Sequence, residues 1–175
     1  WTSLYESKSG ERGIFNRQAA KVKALENGRR DANHYFGCNP CSEIILRPYQ
    51  FCNLTEVVAR STDDFQSLKE KVRLATILGT FQSTLTDFKY LRKIWKDNTE
   101  EERLLGVSLT GILDCPVLND SYYELEDTLQ QLRQVAVDTN KKVAKELGIP
   151  QSTAITCIKP SGTVSQLVDS ASGIH

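Results

Sequence analysis

The chain has 175 residues, 39% of them hydrophobic, with 22 basic and 22 acidic side chains. That is the length of one domain with enough apolar content for a core, and the even charge balance excludes a broad nucleic-acid or membrane-binding surface. No apolar run approaches the roughly 20 residues that span a bilayer, and five cysteines, an odd number, fit a reducing cytoplasmic setting better than a disulfide scaffold.

The chain starts at Trp1, contains no Met and stops at Ser172-Gly173-Ile174-His175 without a terminal signal, so it reads as an internal piece of a longer protein. Ser9 to Arg17 is a Gly-punctuated turn. Asn16 to Glu26 then predicts a short helix, with Ala19, Val22 and Ala20 or Lys23 spaced for one face and Asn27-Gly28 as its stop. Arg29-Arg30 reads as a solvated turn.

Gly37-Cys38-Asn39-Pro40-Cys41-Ser42-Glu43-Ile44-Ile45-Leu46 is the most informative stretch, followed eleven residues after Cys41 by Cys52-Asn53-Leu54. Gly and Pro around Cys41 predict a loop, and the apolar triplet predicts that it runs into a buried strand, with the reactive groups in the interior. The cysteines admit several readings. They are small buried hydrophobes; or half of a zinc site, with Cys38, Cys41, Cys52 and a histidine as ligands; or a thioredoxin-like pair, for which the order of loop and strand is reversed. In a fourth reading, backbone alternation turns Asn39, Cys41 and Glu43 the same way, bringing an amide, a sulfur and a proton acceptor to one concave site.

Ser61-Thr62-Asp63 offers a helix cap. Beyond it Phe65, Leu68, Val72, Ala75 and Leu78 keep helical spacing, as do Phe81, Leu85, Phe88, Leu91 and Trp95, with Gly79 a bend or break between the two runs. The aromatics are expected in the core, and Lys89, Arg92, Lys93 and Lys96 on a solvated helical face. Glu100-Glu101-Glu102 suits the first turn of a further helix through the helix dipole. Cys115, before Pro116, reads as structural. From Asp120 or Ser121 to Leu147 a second amphipathic helix is predicted, with Leu125, Leu129, Leu132, Ala136, Val143 and Leu147 on its stripe and Gly148 and Pro150 ending it. Thr153 to Ile158 has the β-branched content of a buried strand, and helix followed by strand is the α/β signature.

At the end of that strand Lys159-Pro160-Ser161-Gly162-Thr163-Val164-Ser165-Gln166 forms a small-residue turn into a helix start, where free backbone N–H groups and the hydroxyls of Ser161, Thr163 and Ser165 meet an anion. It lacks the spacing of a Walker loop.

Asn39-Pro40-Cys41-Ser42-Glu43, with its later Cys-Asn-Leu, resembles the active-site finger loop of ribonucleotide reductase large chains, most closely the adenosylcobalamin-dependent ribonucleoside-triphosphate reductases. The Pro-Ser-Gly-Thr-Val-Ser segment, downstream of the cysteine, resembles the family's substrate phosphate loop. Similar Gly-rich segments precede the catalytic loop, and Arg103 with Gly-Val-Ser-Leu-Thr-Gly resembles a segment that packs near the barrel.

The resemblance implies that residues 1–175 are a fragment of a single catalytic domain, part of a ten-stranded α/β barrel with the Cys41 loop pointing to its centre. It implies that Cys41 becomes a thiyl radical that abstracts the C3′ hydrogen, that Glu43 takes the 3′-hydroxyl proton and that Asn39 holds the substrate. It makes Cys52 one of two reducing thiols, its partner lying upstream, and Pro160, Ser161, Gly162, Thr163, Val164 and Ser165 the substrate's phosphate site. Adenosylcobalamin is the implied cofactor, a ribonucleoside triphosphate the substrate and thioredoxin or a similar dithiol the reductant, with nucleotide effectors acting on the full-length protein. Cys38 has no role in the family pattern, and the fragment alone is expected to be inactive. The rivals are a reductase with another radical source, a glycyl-radical enzyme and a non-enzymatic zinc module.

Overall fold

The structure is a computed structural model, described for residues 1–10, 12–26, 28–119 and 122–173, without the side chains of 122–124. Asn27, Asp120, Ser121, Ile174 and His175, all named in the sequence reading, lie outside the described residues.

The centre is a parallel sheet. Strand β3 (Asn53–Val58) pairs along its length with β4 (Leu105–Thr110), from Asn53 opposite Leu105 to Val58 opposite Thr110. A third strand-like segment joins β4 on its other side. Leu105 N donates to Ala154 O, Val107 N to Ile155 O and Cys157 N to Val107 O, and Thr156 bridges Val107 in parallel. Parallel strands need long crossovers, supplied by α3 (Phe65–Gln82) and α4 (Lys93–Glu102) before β4, and by α5 (Tyr122–Leu147) before the third segment.

Side-chain alternation divides the sheet's two faces. Val57, Leu105, Val107, Leu109 and Ile155 form one buried cluster with Leu68, Val72 and Ala75 of α3 and Leu132 and Ala136 of α5. The opposite face, with Leu54, Glu56, Gly106 and Ser108, is left for a different partner.

Both long helices form where apolar spacing predicts them. At the start of α3, Asp64 rather than Ser61, Thr62 or Asp63 is the cap: its side chain accepts from Ser67 N while Ser67 Oγ accepts from Asp64 N. Gly79 does not break α3, and its missing side chain lets the helix lie against Thr55 and Leu105. The second aromatic run is not one helix, because the chain leaves α3 at Ser83 and starts α4 at Lys93. Leu85 is therefore exposed, and Phe88 and Trp95 pack on Phe51. Arg92 lies over the Tyr49 ring. At the end of α5, Gly148 takes a left-handed conformation and Ile149 N returns to Ala144 O, as the Gly-Pro stop predicts. Cys115 is fully buried.

The acidic triplet runs opposite to expectation. Glu100, Glu101 and Glu102 close α4 instead of opening a helix, and the residues after them form β4. Negative charge is unfavourable at a helix C-terminus, and arginines offset it. Arg47 donates to Glu101 at 2.9 Å, and Arg30 grips Glu102 with Nε at 2.9 Å and Nη2 at 2.8 Å. Arg30 is thus not a solvated turn residue but a buried one.

Residues before the sheet fold as a separate small layer. Helix α1 (Thr2–Ser7), which the sequence reading did not anticipate, precedes the Gly-rich turn. Helix α2 (Arg17–Glu26) is capped by Asn16, whose Oδ1 accepts from Ala19 N, and it buries Ala20 and Ala24 rather than Val22. Those alanines pack with Ala32, Phe36 and Ile45, so α2 supports the segment carrying Cys41. Among the described residues no helix is long and apolar enough to cross a membrane.

Candidate active site

Strands β1 (Gly37–Cys38) and β2 (Ile45–Leu46) pair antiparallel, Cys38 opposite Ile45, so the stretch around Cys41 is a hairpin. Its tip is a turn closed by Ser42 N donating to Asn39 O at 3.0 Å, with Ser42 in a left-handed conformation. The backbone is therefore not extended through the motif. Asn39 and Glu43 meet across the turn, Asn39 Nδ2 donating to Glu43 Oε1 at 2.6 Å, while Asn39 Oδ1 accepts from Ile44 N at 3.0 Å. Cys41 sits at the apex and is exposed, not interior, and Ile45 and Leu46 are only half-buried; Ile44 alone of the triplet is buried.

The hairpin lies over the free face of the sheet. A side chain on Gly106 would have its Cβ 2.5 Å from Leu54 Cδ2, 3.1 Å from Cys157 Sγ and 3.4 Å from Ile44 Cδ1. Glycine at 106 thus permits hairpin, β3 and the Cys157 thiol to converge. Gly106→Ala is expected to destabilise the protein by about 1–3 kcal/mol through overpacking, measured by thermal unfolding.

Glu43 is the electrostatic centre, its side chain 6% exposed. Lys159 Nζ donates to its Oε1 at 2.9 Å, beside the Asn39 amide, whereas Oε2 is buried with no hydrogen-bond partner. Burial pushes the carboxyl pKa up, but the hydrogen bonds and charge of Lys159, with Asn39, hold it below the ordinary carboxylate range. The pair's contribution to stability is accordingly present above that range and lost as pH falls through the depressed pKa.

Cys52, ahead of β3, and Cys157, on the third segment, share this environment. Burial and then the Glu43 carboxylate push Cys52 up, with Lys159 opposing; the same forces and Cys52 itself push Cys157 up to about 12. At neutral pH both are neutral thiols, poor as thiolate nucleophiles. All five cysteines are free.

The Pro160–Ser165 turn follows Lys159 and opens α6 (Thr163–Leu167). Two of its hydroxyls are engaged within the turn: Ser161 Oγ accepts from Ser165 N, and Ser165 Oγ donates to Ser161 O. Both serines are buried, while Gly162, Thr163 and Val164 are exposed.

The structure brings Asn39, Glu43, Cys52 and the start of the phosphate turn into one site with Cys41 at its rim. Sequence reasoning gave Lys159 and Cys157 no role in this site; Thr153 to Ile158, predicted as a strand, forms no regular strand but makes a bridge at Thr156 and backbone bonds to β4, and the two residues lie at its end. Among the described residues no three His, Cys, Asp or Glu side chains are grouped to hold a metal ion.

The fold is similar to that of a solved ribonucleotide reductase. The crystal structure of a B12-dependent (class II) ribonucleotide reductase shares the fold with a TM-score of 0.65 and 26% identity, over 79% of this chain and 22% of that one. Within that class the similarity is to adenosylcobalamin-dependent ribonucleoside-triphosphate reductases. The chain is 29% identical to that of Lacticaseibacillus paracasei over 99% of its length, 30% identical to that of Lactobacillus acidophilus over 95% and 27% identical to that of Euglena gracilis over 95%. It spans about a quarter of the length of these curated relatives, 26%, 26% and 23% respectively. No protein-family model matches the chain.

Proposed function

We propose that residues 1–175 form the finger hairpin and substrate-phosphate part of the catalytic barrel, ten-stranded when complete, of an adenosylcobalamin-dependent ribonucleoside-triphosphate reductase. The observation that carries this is a buried carboxylate with one oxygen held by Asn39 and Lys159 and the other unpartnered, next to an exposed thiol on the same hairpin.

The chain's residues divide the reaction among them. Cys41, as a thiyl radical, takes the C3′ hydrogen and returns it to C3′ in the last step, and Glu43 Oε2 takes the 3′-hydroxyl proton as general base and gives it back. The 2′-hydroxyl leaves as water, the two electrons coming from Cys52 and a partner thiol that close to a disulfide. The balance is one ribonucleotide and two thiols giving one deoxyribonucleotide, one disulfide and water, for DNA synthesis. Thioredoxin or a similar dithiol then reduces the disulfide.

Adenosylcobalamin, when bound, would supply the radical chemistry that takes hydrogen from the Cys41 thiol. The residues fit such a group in one respect: Cys41, the thiol it must reach, is exposed, whereas Cys52 and Cys157 are half-buried. Phosphates meet the exposed residues of the 160–165 turn, where the first-turn amides lack helical partners. Ser161 and Ser165 shape that turn.

The test uses the intact reductase with adenosylcobalamin tritiated at its 5′ carbon, nucleotide and dithiol. Wild-type protein is expected to release tritium to water and Cys41→Ser to release none. Equal release by both would sink the assignment.

A further inference from the structure

Lys159 lies between two parts of the site without belonging to either. It is the residue before the phosphate turn, yet its side chain turns to the hairpin and meets Glu43 Oε1. Its backbone is fixed from two directions. Lys159 N donates to Oγ of Ser108, itself buried on β4, at 2.8 Å. On the other side the 171–173 segment closes over it, so tightly that a Cβ on Gly173 would stand 2.1 Å from Lys159 O. Ala171 fixes that segment, its oxygen accepting from Gly111 N at 2.8 Å and Thr110 Oγ1 at 3.1 Å, its N–H donating to Asp114 Oδ2 at 2.6 Å. A lysine anchored this firmly at its backbone presents its ammonium group from a fixed point.

Oε1 of Glu43 is engaged by Asn39 and Lys159 together, leaving Oε2 as the oxygen free to meet a substrate hydroxyl. The Asn39 bond is local to the hairpin and accompanies it wherever it moves. The Lys159 bond spans 116 residues of sequence and ties the hairpin to the sheet end that carries the phosphate turn.

Resting on the reductase reading above, we propose that Lys159 is a positioning residue for the general base: it fixes the Glu43 carboxylate so that Oε2 alone faces the ribose, in register with the phosphate turn that begins at Pro160. The other titratable groups around Glu43 do not substitute for it. Cys52, Cys157 and Cys41 are thiols, and Glu56, which acts on Cys157, is a second carboxylate. Lys23 and Arg30 line the cavity of about 140 Å³ behind Glu43, but they are paired with Glu26 and Glu102. Removing Lys159 therefore raises the Glu43 pKa, and the base is lost at a higher pH than in the wild type.

The test compares intact wild-type reductase with Lys159→Met and Lys159→Arg, using Lys159→Gln should the methionine variant fail to fold. Two readouts are taken. One is Glu43 ionisation, from infrared carboxylate titration as a difference against the same background carrying Glu43→Gln; the other is the pH profile of nucleotide reduction. Lys159→Met is expected to move the Glu43 titration and the acidic limb of kcat to higher pH and to lower kcat about ten- to a hundredfold, with KM for the nucleotide within about twofold. Lys159→Arg, which keeps the cation, should restore the limb. An unshifted Glu43 titration in Lys159→Met overturns the proposal, as does a raised KM with kcat and limb unchanged, which would make Lys159 a phosphate ligand. A wild-type protein that reduces no nucleotide overturns the reductase reading instead, and the infrared titration still decides the role of Lys159.

Discussion

Glu43→Gln in the intact protein is expected to lower kcat for nucleotide reduction by about 10²–10⁴-fold, the usual worth of the positioned general base proposed for it, with little change in KM. The substitution is nearly isosteric. A glutamine at 43 can still accept from Asn39 Nδ2 and Lys159 Nζ through its amide oxygen, the contacts that now reach Glu43 Oε1 at 2.6 and 2.9 Å. What it places where Oε2 stands is an amide nitrogen, which accepts no proton. The hairpin keeps its hydrogen bonds and loses the proposed base, so the main defect should appear in steady-state turnover, with thermal unfolding lowered only by the lost charge of the Glu43–Lys159 pair. Activity within tenfold of wild type would remove Glu43 from proton transfer.

Arg30→Met should instead be a folding defect, costing about 3–5 kcal/mol, because removing one member of a buried ion pair leaves the other charge unpaired. The side chains of Arg30 and Glu102 are 4% and 3% exposed. Gln50 Nε2 also donates to Glu102, and Arg30 donates from Nη1 to Ile45 O at 2.8 Å and from Nη2 to Gln50 Oε1 at 3.3 Å. This network joins α4 to the base of the hairpin, so its loss both destabilises the chain and frees the segment that carries Cys41. Urea unfolding of Arg30→Met against the double variant Arg30→Met, Glu102→Gln measures it. The double variant should recover much of the stability, since it no longer buries an unpaired charge. A single variant as stable as wild type would show that Glu102 finds another partner or water.

The two predictions concern residues that sequence reasoning treated very differently. Glu43 was legible because its neighbours Asn39 and Cys41 have chemistry that is informative at short range, although the geometry joining them was not. Alternation along an extended backbone put all three on one face, whereas a turn with Ser42 left-handed pairs Asn39 with Glu43 and sends Cys41 to the apex. Arg30 was not legible, because its partners Glu102 and Gln50 lie 72 and 20 residues away. Two adjacent arginines after Asn-Gly look like any solvated turn until the fold brings a buried carboxylate to them. The same distance problem reversed the role of Glu100 to Glu102, whose charge suits a helix start locally but closes α4 under the control of Arg30 and Arg47.

What the sequence determined by itself is what short-range physics controls: helices α2, α3 and α5 from apolar period, the stop at Gly148 from its tolerance of a left-handed backbone, the cysteine loop from Gly and Pro, and the candidate reactive groups from their type and spacing. The tertiary structure decided which groups act together. Only the parallel register of β3, β4 and the third segment brings Lys159 to Glu43 and Cys157 over Gly106. Burial on that face, and then the Glu43 carboxylate that the fold brings there, push the Cys52 and Cys157 thiols up. The physical reason is range: backbone preference is set by a few neighbouring residues, while the charge and burial that tune a reactive group come from side chains that meet only once the sheet has formed.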